Sequence, residues 1–173
     1  LTLACLAQNI WVITFLLRWF AGSMLPMVGI LVALAAFYVA LGVGTATVSR
    51  QERWRSHLPI SIYLGWISVA TVVNGAIALY SLDWNRWGLN PEAWTVVMMV
   101  VAAGLGLIML LRRSDRAFPA VMIWALVAIA IRQAALPLVA ITAIGLSLVL
   151  AGVMGWHWWR DRQGFSAPPD GNP

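Results

Sequence analysis

Residues 24–48, MLPMVGILVALAAFYVALGVGTATV, carry no charged side chain, and a helix of that length at 1.5 Å per residue exceeds the roughly 30 Å hydrocarbon thickness of a bilayer. Lipid is therefore the solvent this chain is built for. Five further apolar stretches surround it, at 1–17, 60–80, 93–111, 117–131 and 136–158. The third, fourth and sixth stretches are also long enough to span, whereas the first is cut off by the chain start and the fifth is short. The expected fold class is all-α, a polytopic transmembrane helix bundle of about six spans. The count falls to five if 117–131 belongs to a broken or re-entrant segment, which is tolerable only where protein covers its backbone. A composition of 62% hydrophobic and 10% charged residues agrees, since it lies outside the soluble balance.

The basic residues are all arginine, and they orient the chain. Arg50, Arg53 and Arg55 sit with Glu52 before the third stretch, and Arg112, Arg113 and Arg116 sit with Asp115 before the fifth. The positive-inside rule places both links in the cytoplasm. Parity then puts the link 81–91 outside and the tail with Arg160 and Arg162 inside, with Arg18 as a mild dissent. This describes an integral membrane protein, of a bacterial inner membrane, whose C-terminus is cytoplasmic. Arginines that flank spans instead of forming a groove exclude a nucleic-acid partner.

Eleven tryptophans fall into two groups. Trp19, Trp54, Trp84, Trp87, Trp94, Trp156, Trp158 and Trp159 lie near span ends, where an aromatic belt accounts for them. Trp11, Trp66 and Trp124 lie deeper, and either pack or wall a pocket for a flat ligand. The stretch 58–74, LPISIYLGWISVATVVN, adds a polar and aromatic stripe: at 100° per residue Tyr63, Ala70 and Asn74 share one line, flanked by Trp66 and Ile67. An amide in a span is costly unless paired, so Asn74 either bonds a neighbouring helix or faces a bound molecule, and Tyr63 has the same two readings.

This stripe resembles the last helix of the TspO/MBR family, the tryptophan-rich sensory or translocator proteins. Tyr63, Leu64, Trp66 and Asn74 keep the family spacing, with Gly65 in place of Ala, Ile62 in place of Pro, and Pro59 three residues earlier. Residues 6–15 look like the family's third helix: Trp11 and Phe15 fit, Gln8 occupies an Asn position and Asn9 is one residue late. The resemblance covers residues 1–78 as helices three to five, with 79–159 as additional transmembrane helices and 160–173 as a polar Pro/Gly-rich tail. It implies a longer related branch whose first two helices lie outside this sequence. It also implies a pocket for a flat lipophile, lined by Trp11, Tyr63, Trp66, Asn74 and Trp124. A porphyrin or another tetrapyrrole such as bacteriochlorophyll, a sterol-like molecule or a carotenoid would be its occupant, with none fixed as a resident cofactor.

Ala36, Ala40 and Gly44 repeat a small residue every four positions, as do Ser147, Ala151 and Gly155, and both sets are expected to be helix-packing faces. Pro26, Pro119 and Pro137 suit first turns of spans. Arg132 is an isolated charge with three readings: it snorkels at a span boundary, pairs with Asp83 or Glu92, or holds a ligand carboxylate such as a tetrapyrrole propionate. His57 and His157 read as surface or interfacial side chains without metal-cluster spacing, and the lone Cys5 as a small core residue. No catalytic or metal-ligating constellation is expected, so an enzyme is disfavoured. Two function classes remain: binding or handling of a flat lipophilic ligand, or an accessory subunit of a larger, photosynthetic membrane complex. Membrane lipids are partners in either case, and other membrane subunits or further copies of the chain are expected ones.

Overall fold

The computed structural model describes residues 2–164, and within them every regular element is helical. Six apolar helices make the bundle: α1 (Thr2–Leu16), α2 (Phe20–Ala40), α4 (Leu58–Ser81), α5 (Pro91–Arg113), α6 (Ala117–Arg132) and α7 (Pro137–Gly164). The turn α3 (Arg50–Glu52) precedes α4, and a 3-10 turn (Arg86–Gly88) sits between α4 and α5. Four helices are long and apolar enough to cross a membrane: α2, the continuous helix Arg50–Ser81, α5 and α7. The other two, α1 and α6, are shorter; sixteen residues of α6 rise only about 24 Å.

Packing follows the chain order with one exchange. α2 lies between α1 and α4, α4 packs on α6, and α6 packs on both α7 and α5. The consecutive helices α4 and α5 touch little, because α6 is drawn in between them. On α2 the buried positions Ser23, Met27, Ile30, Leu34 and Tyr38 recur at the three-to-four spacing of one helical face, which is the face the bundle covers. Gly65 lies where α4 comes close to α6; a Cβ there would come within 3.2 Å of the Val121 side chain.

Several helix boundaries differ from the apolar runs. α2 ends at Ala40, short of residue 48, because Gly42 and Gly44 adopt φ of 62° and 79° and turn the chain. It begins at Phe20, which puts Pro26 beyond the first turn. The arginine-bearing link 50–57 is helical: Ser49 caps it by accepting the Glu52 N–H at 3.2 Å, a Ser-x-x-Glu capping pair. Helix α7 continues past Trp159 to Gly164, and the remainder of the polar tail, 165–173, lies outside the described residues.

Neither small-residue stripe is covered along its whole length by the chain itself. Ala36 and Ala40 are exposed, and Gly44 is not on the helix at all; it sits in the following turn, where a Cβ would collide with the Arg113 backbone carbonyl. On α7, Ser147 is buried and donates to the Ala143 carbonyl, while Ala151 and Gly155 are exposed. The four-residue repeat drifts off the covered face because that face follows 3.6-residue spacing, through Val139, Ala143, Ser147 and Leu150. Gly44→Ala is expected to cost about 2 kcal/mol or more in thermal unfolding in detergent, combining the left-handed penalty with a clash against backbone. A loss below about 0.5 kcal/mol would show that the turn is not held against Arg113.

Candidate functional site

The gap left between α4 and α5, roofed by α6, is a crevice of about 310 Å³. Its α4 wall includes Val69, Val73 and Ile77, its α5 wall Trp94, Met98 and Ala102, and its α6 wall Met122, Leu126 and Ile129. The lining is almost wholly apolar, and the unbranched methionines can repack around an irregular guest. Arg132 and Gln133 stand at the mouth, at the C-terminal end of α6. Trp94, at the start of α5, is fixed there by two neighbours: its ring centroid lies 4.8 Å from Trp84 and 5.8 Å from Trp87. Asn90 and Pro91 start this helix, with the Asn90 side chain accepting the Ala93 N–H at 2.7 Å.

The structure distributes the sequence-predicted residues over three faces. Trp66 and Trp124 come together, centroids 5.4 Å apart, but 47% and 60% exposed, over a shallow outer depression of α4 and α6. Trp11 packs on the core from α1 beside Phe15, with its indole N–H enclosed and unpartnered; Tyr63 is likewise partly buried against the core. Asn74 is 2% exposed and bound to α2: its Oδ1 accepts from Ser23 Oγ at 3.1 Å and its Nδ2 donates to Met24 Sδ at 3.2 Å. None of Trp11, Tyr63 and Asn74 lines the crevice, whereas Arg132 does. Arg132 is exposed and makes no ion pair with Asp83 or Glu92. Asn74→Leu is therefore expected to reduce bundle stability by about 1 kcal/mol and to leave affinity for a crevice ligand unchanged. Ligand titration of the folded variant checks this, and a tenfold weakening would place Asn74 at the ligand.

At the opposite end a buried carboxylate organises the arginine-rich links. Asp115 accepts from Tyr38 Oη at 2.8 Å and from Ser61 Oγ on one oxygen, and from the Ala117 and Phe118 N–H groups, at 2.9 and 3.4 Å, on the other. It thus ties α2, α4 and the start of α6 together. Arg113 lies over the Tyr38 ring and donates to the Val43 carbonyl at 3.3 Å. Asp115 lies in the arginine-bearing link, and an Asp just ahead of an apolar run is the helix-start signal from which its capping role is legible. The crevice residues Met98, Ala102 and Met122 carry no such signal, since nothing distinguishes them from other apolar residues of their helices.

A family model described as TSPO-like protein matches residues 1–156, running past residue 78, where the motif resemblance stops, through the helices after Trp94. No curated protein and no solved structure matches.

Proposed function

The chain belongs to the TspO/MBR family, and from that premise we propose that it binds or carries an extended, flat lipophile in the crevice between α4, α5 and α6. It is an integral membrane protein of a family of non-catalytic transporters and sensors, and no group of three His, Cys, Asp or Glu side chains placed for a metal ion occurs among the described residues. The observation that carries the reading is the apolar crevice with the Arg132 cation at its mouth. A volume of about 310 Å³ is at the lower limit for drug-sized ligands, so the crevice would enclose one edge of a porphyrin or bacteriochlorophyll, or one arm of a carotenoid, with the rest lying along the lipid face. Arg132 would then meet an acidic substituent such as a propionate, where its planar fork is well matched to a carboxylate.

In this reading all six apolar helices cross the membrane, α1 and α6 with local thinning of the bilayer or cover from neighbours. The arginine-rich end faces the cytoplasm, as does the C-terminus. A second reading, an accessory subunit of a larger membrane complex, has one specific support. The outer face of α7 presents Ile141 and Leu148 with Gly145 and Gly152, around whose Cα atoms the chain itself leaves space. Purification in mild detergent from the native membrane, with an absorption spectrum and mass spectrometry of the particle, separates the two. A stoichiometric tetrapyrrole or carotenoid on this chain alone supports the ligand reading; a pigment-free chain eluting only with other subunits replaces it with the second.

A further inference from the structure

The arginine-rich end holds a second cavity, of about 380 Å³, between the turn after α2, the start of α4, the α5–α6 link and the end of α7. Its shape begins with Pro59. Proline has no N–H and its ring crowds the carbonyl four residues back, so the preceding turn widens: residues 53–57 form a π-turn in which the Leu58 N–H bonds to the Arg53 carbonyl. The widened turn buries His57, 6% exposed, against the cavity, where its imidazole has no hydrogen-bond partner among the described residues. Arg53 lines the same space and makes no ion pair with a described residue. Arg116 contributes a guanidinium held through Nη2 by Asp161 at 2.5 Å, while its Nε–H is enclosed without an acceptor.

The acidic residues do not cancel these donors. Asp115 already accepts four hydrogen bonds, and Asp161 is shared between Arg116 and His157, which lies 3.5 Å away. Around the cavity, N–H groups of Arg53, His57 and Arg116 Nε have no acceptor among the described residues. Of these the Arg116 Nε–H is enclosed, the His57 ring is buried and Arg53 is exposed at the opening; an enclosed donor without an acceptor is costly, and three donors converging on a space open to water suit an oxyanion. We propose that this cavity binds a phosphoryl oxyanion through Arg53, His57 and the Arg116 Nε–H. Arginine forks suit phosphate oxygens geometrically, and the charge-assisted bonds are about twice as strong as neutral ones. The group belongs either to an anionic lipid headgroup at the membrane face or to a soluble phosphate. The site is separate from the crevice and stands or falls independently of it.

The test uses the full chain in nanodiscs, titrated with inorganic phosphate, and compares phosphatidylcholine discs with and without phosphatidic acid by thermal shift and native mass spectrometry. Arg53→Gln and His57→Leu are each expected to weaken phosphoryl binding about tenfold, while His57→Gln, which keeps an N–H donor, retains most of it. Arg112→Gln, an exposed arginine at the same end outside the cavity, is expected to change nothing. Retention of phosphatidic acid with no response to inorganic phosphate assigns the site to a headgroup; saturable binding of inorganic phosphate that competes with the lipid assigns it to the free anion. Equal losses for Arg112→Gln and Arg53→Gln would reduce the effect to diffuse charge attraction and overturn the proposal. So would unchanged binding in folded His57→Leu; if that variant does not fold, Arg53→Gln on its exposed side chain decides.

Discussion

Asp115→Leu is expected to lower the stability of the bundle by about 3 kcal/mol, the largest single-residue loss anticipated in the chain. The carboxylate satisfies two buried hydroxyls, Tyr38 Oη and Ser61 Oγ, and two N–H groups at the start of α6. Leaving a buried hydroxyl unpaired costs roughly 1–3 kcal/mol, and losing a helix cap adds about 1. Removing a buried charge returns part of this, because its desolvation penalty goes with it. Asp115→Asn separates the contributions: the amide keeps one acceptor oxygen but turns an NH₂ toward groups that donate, so about half the loss is expected. Tyr38→Phe removes one donor and should cost about 1 kcal/mol. Thermal or denaturant unfolding in one detergent measures all three. If Asp115→Leu unfolds like the parent chain, the carboxylate does not join α2, α4 and α6.

The all-α bundle was legible because hydrophobic run length is read directly by the bilayer, and four of the runs are helices of spanning length. Boundaries were less legible. Residues 41–48 carry no charge and continue the apolar run, and it is backbone conformation at Gly42 and Gly44 that ends α2. In the other direction, residues 50–57 are polar enough to read as a link, yet the Ser49–Glu52 cap and the π-turn carry the helix through them. The faces were harder still. On a helix that is apolar all round, periodicity cannot say which side meets protein, so the stripes at Ala36 and Ala151 pointed outward. Asn74 was legible as a residue that needs a partner, and Ser23 is where it finds one. The crevice could not be read, because it arises where α6 inserts between two consecutive helices, a matter of tertiary order.

Ala102→Trp is expected to abolish binding of a lipophile in the crevice, a loss of over a hundredfold, with the helices intact. Ala102 lines the gap from α5, opposite Met122 and Leu126 of α6, and an indole there would occupy a large part of about 310 Å³. The site is partly open, so the added ring can be accommodated by filling empty space and need not displace packed core, where overpacking typically costs 1–3 kcal/mol. Arg132→Gln then distinguishes the kinds of ligand. It removes the only cation at the mouth among the described residues, and for a porphyrin carrying propionates the expected loss is about tenfold, one charge-assisted contact at an exposed rim. For a hydrocarbon carotenoid no change is expected, since neither end of the molecule bears a charge. Absorption titrations of both variants with each ligand class supply the comparison. Undiminished binding to folded Ala102→Trp would move the site away from α5, leaving the outer depression at Trp66 and Trp124 as the surface on which a flat ring could lie.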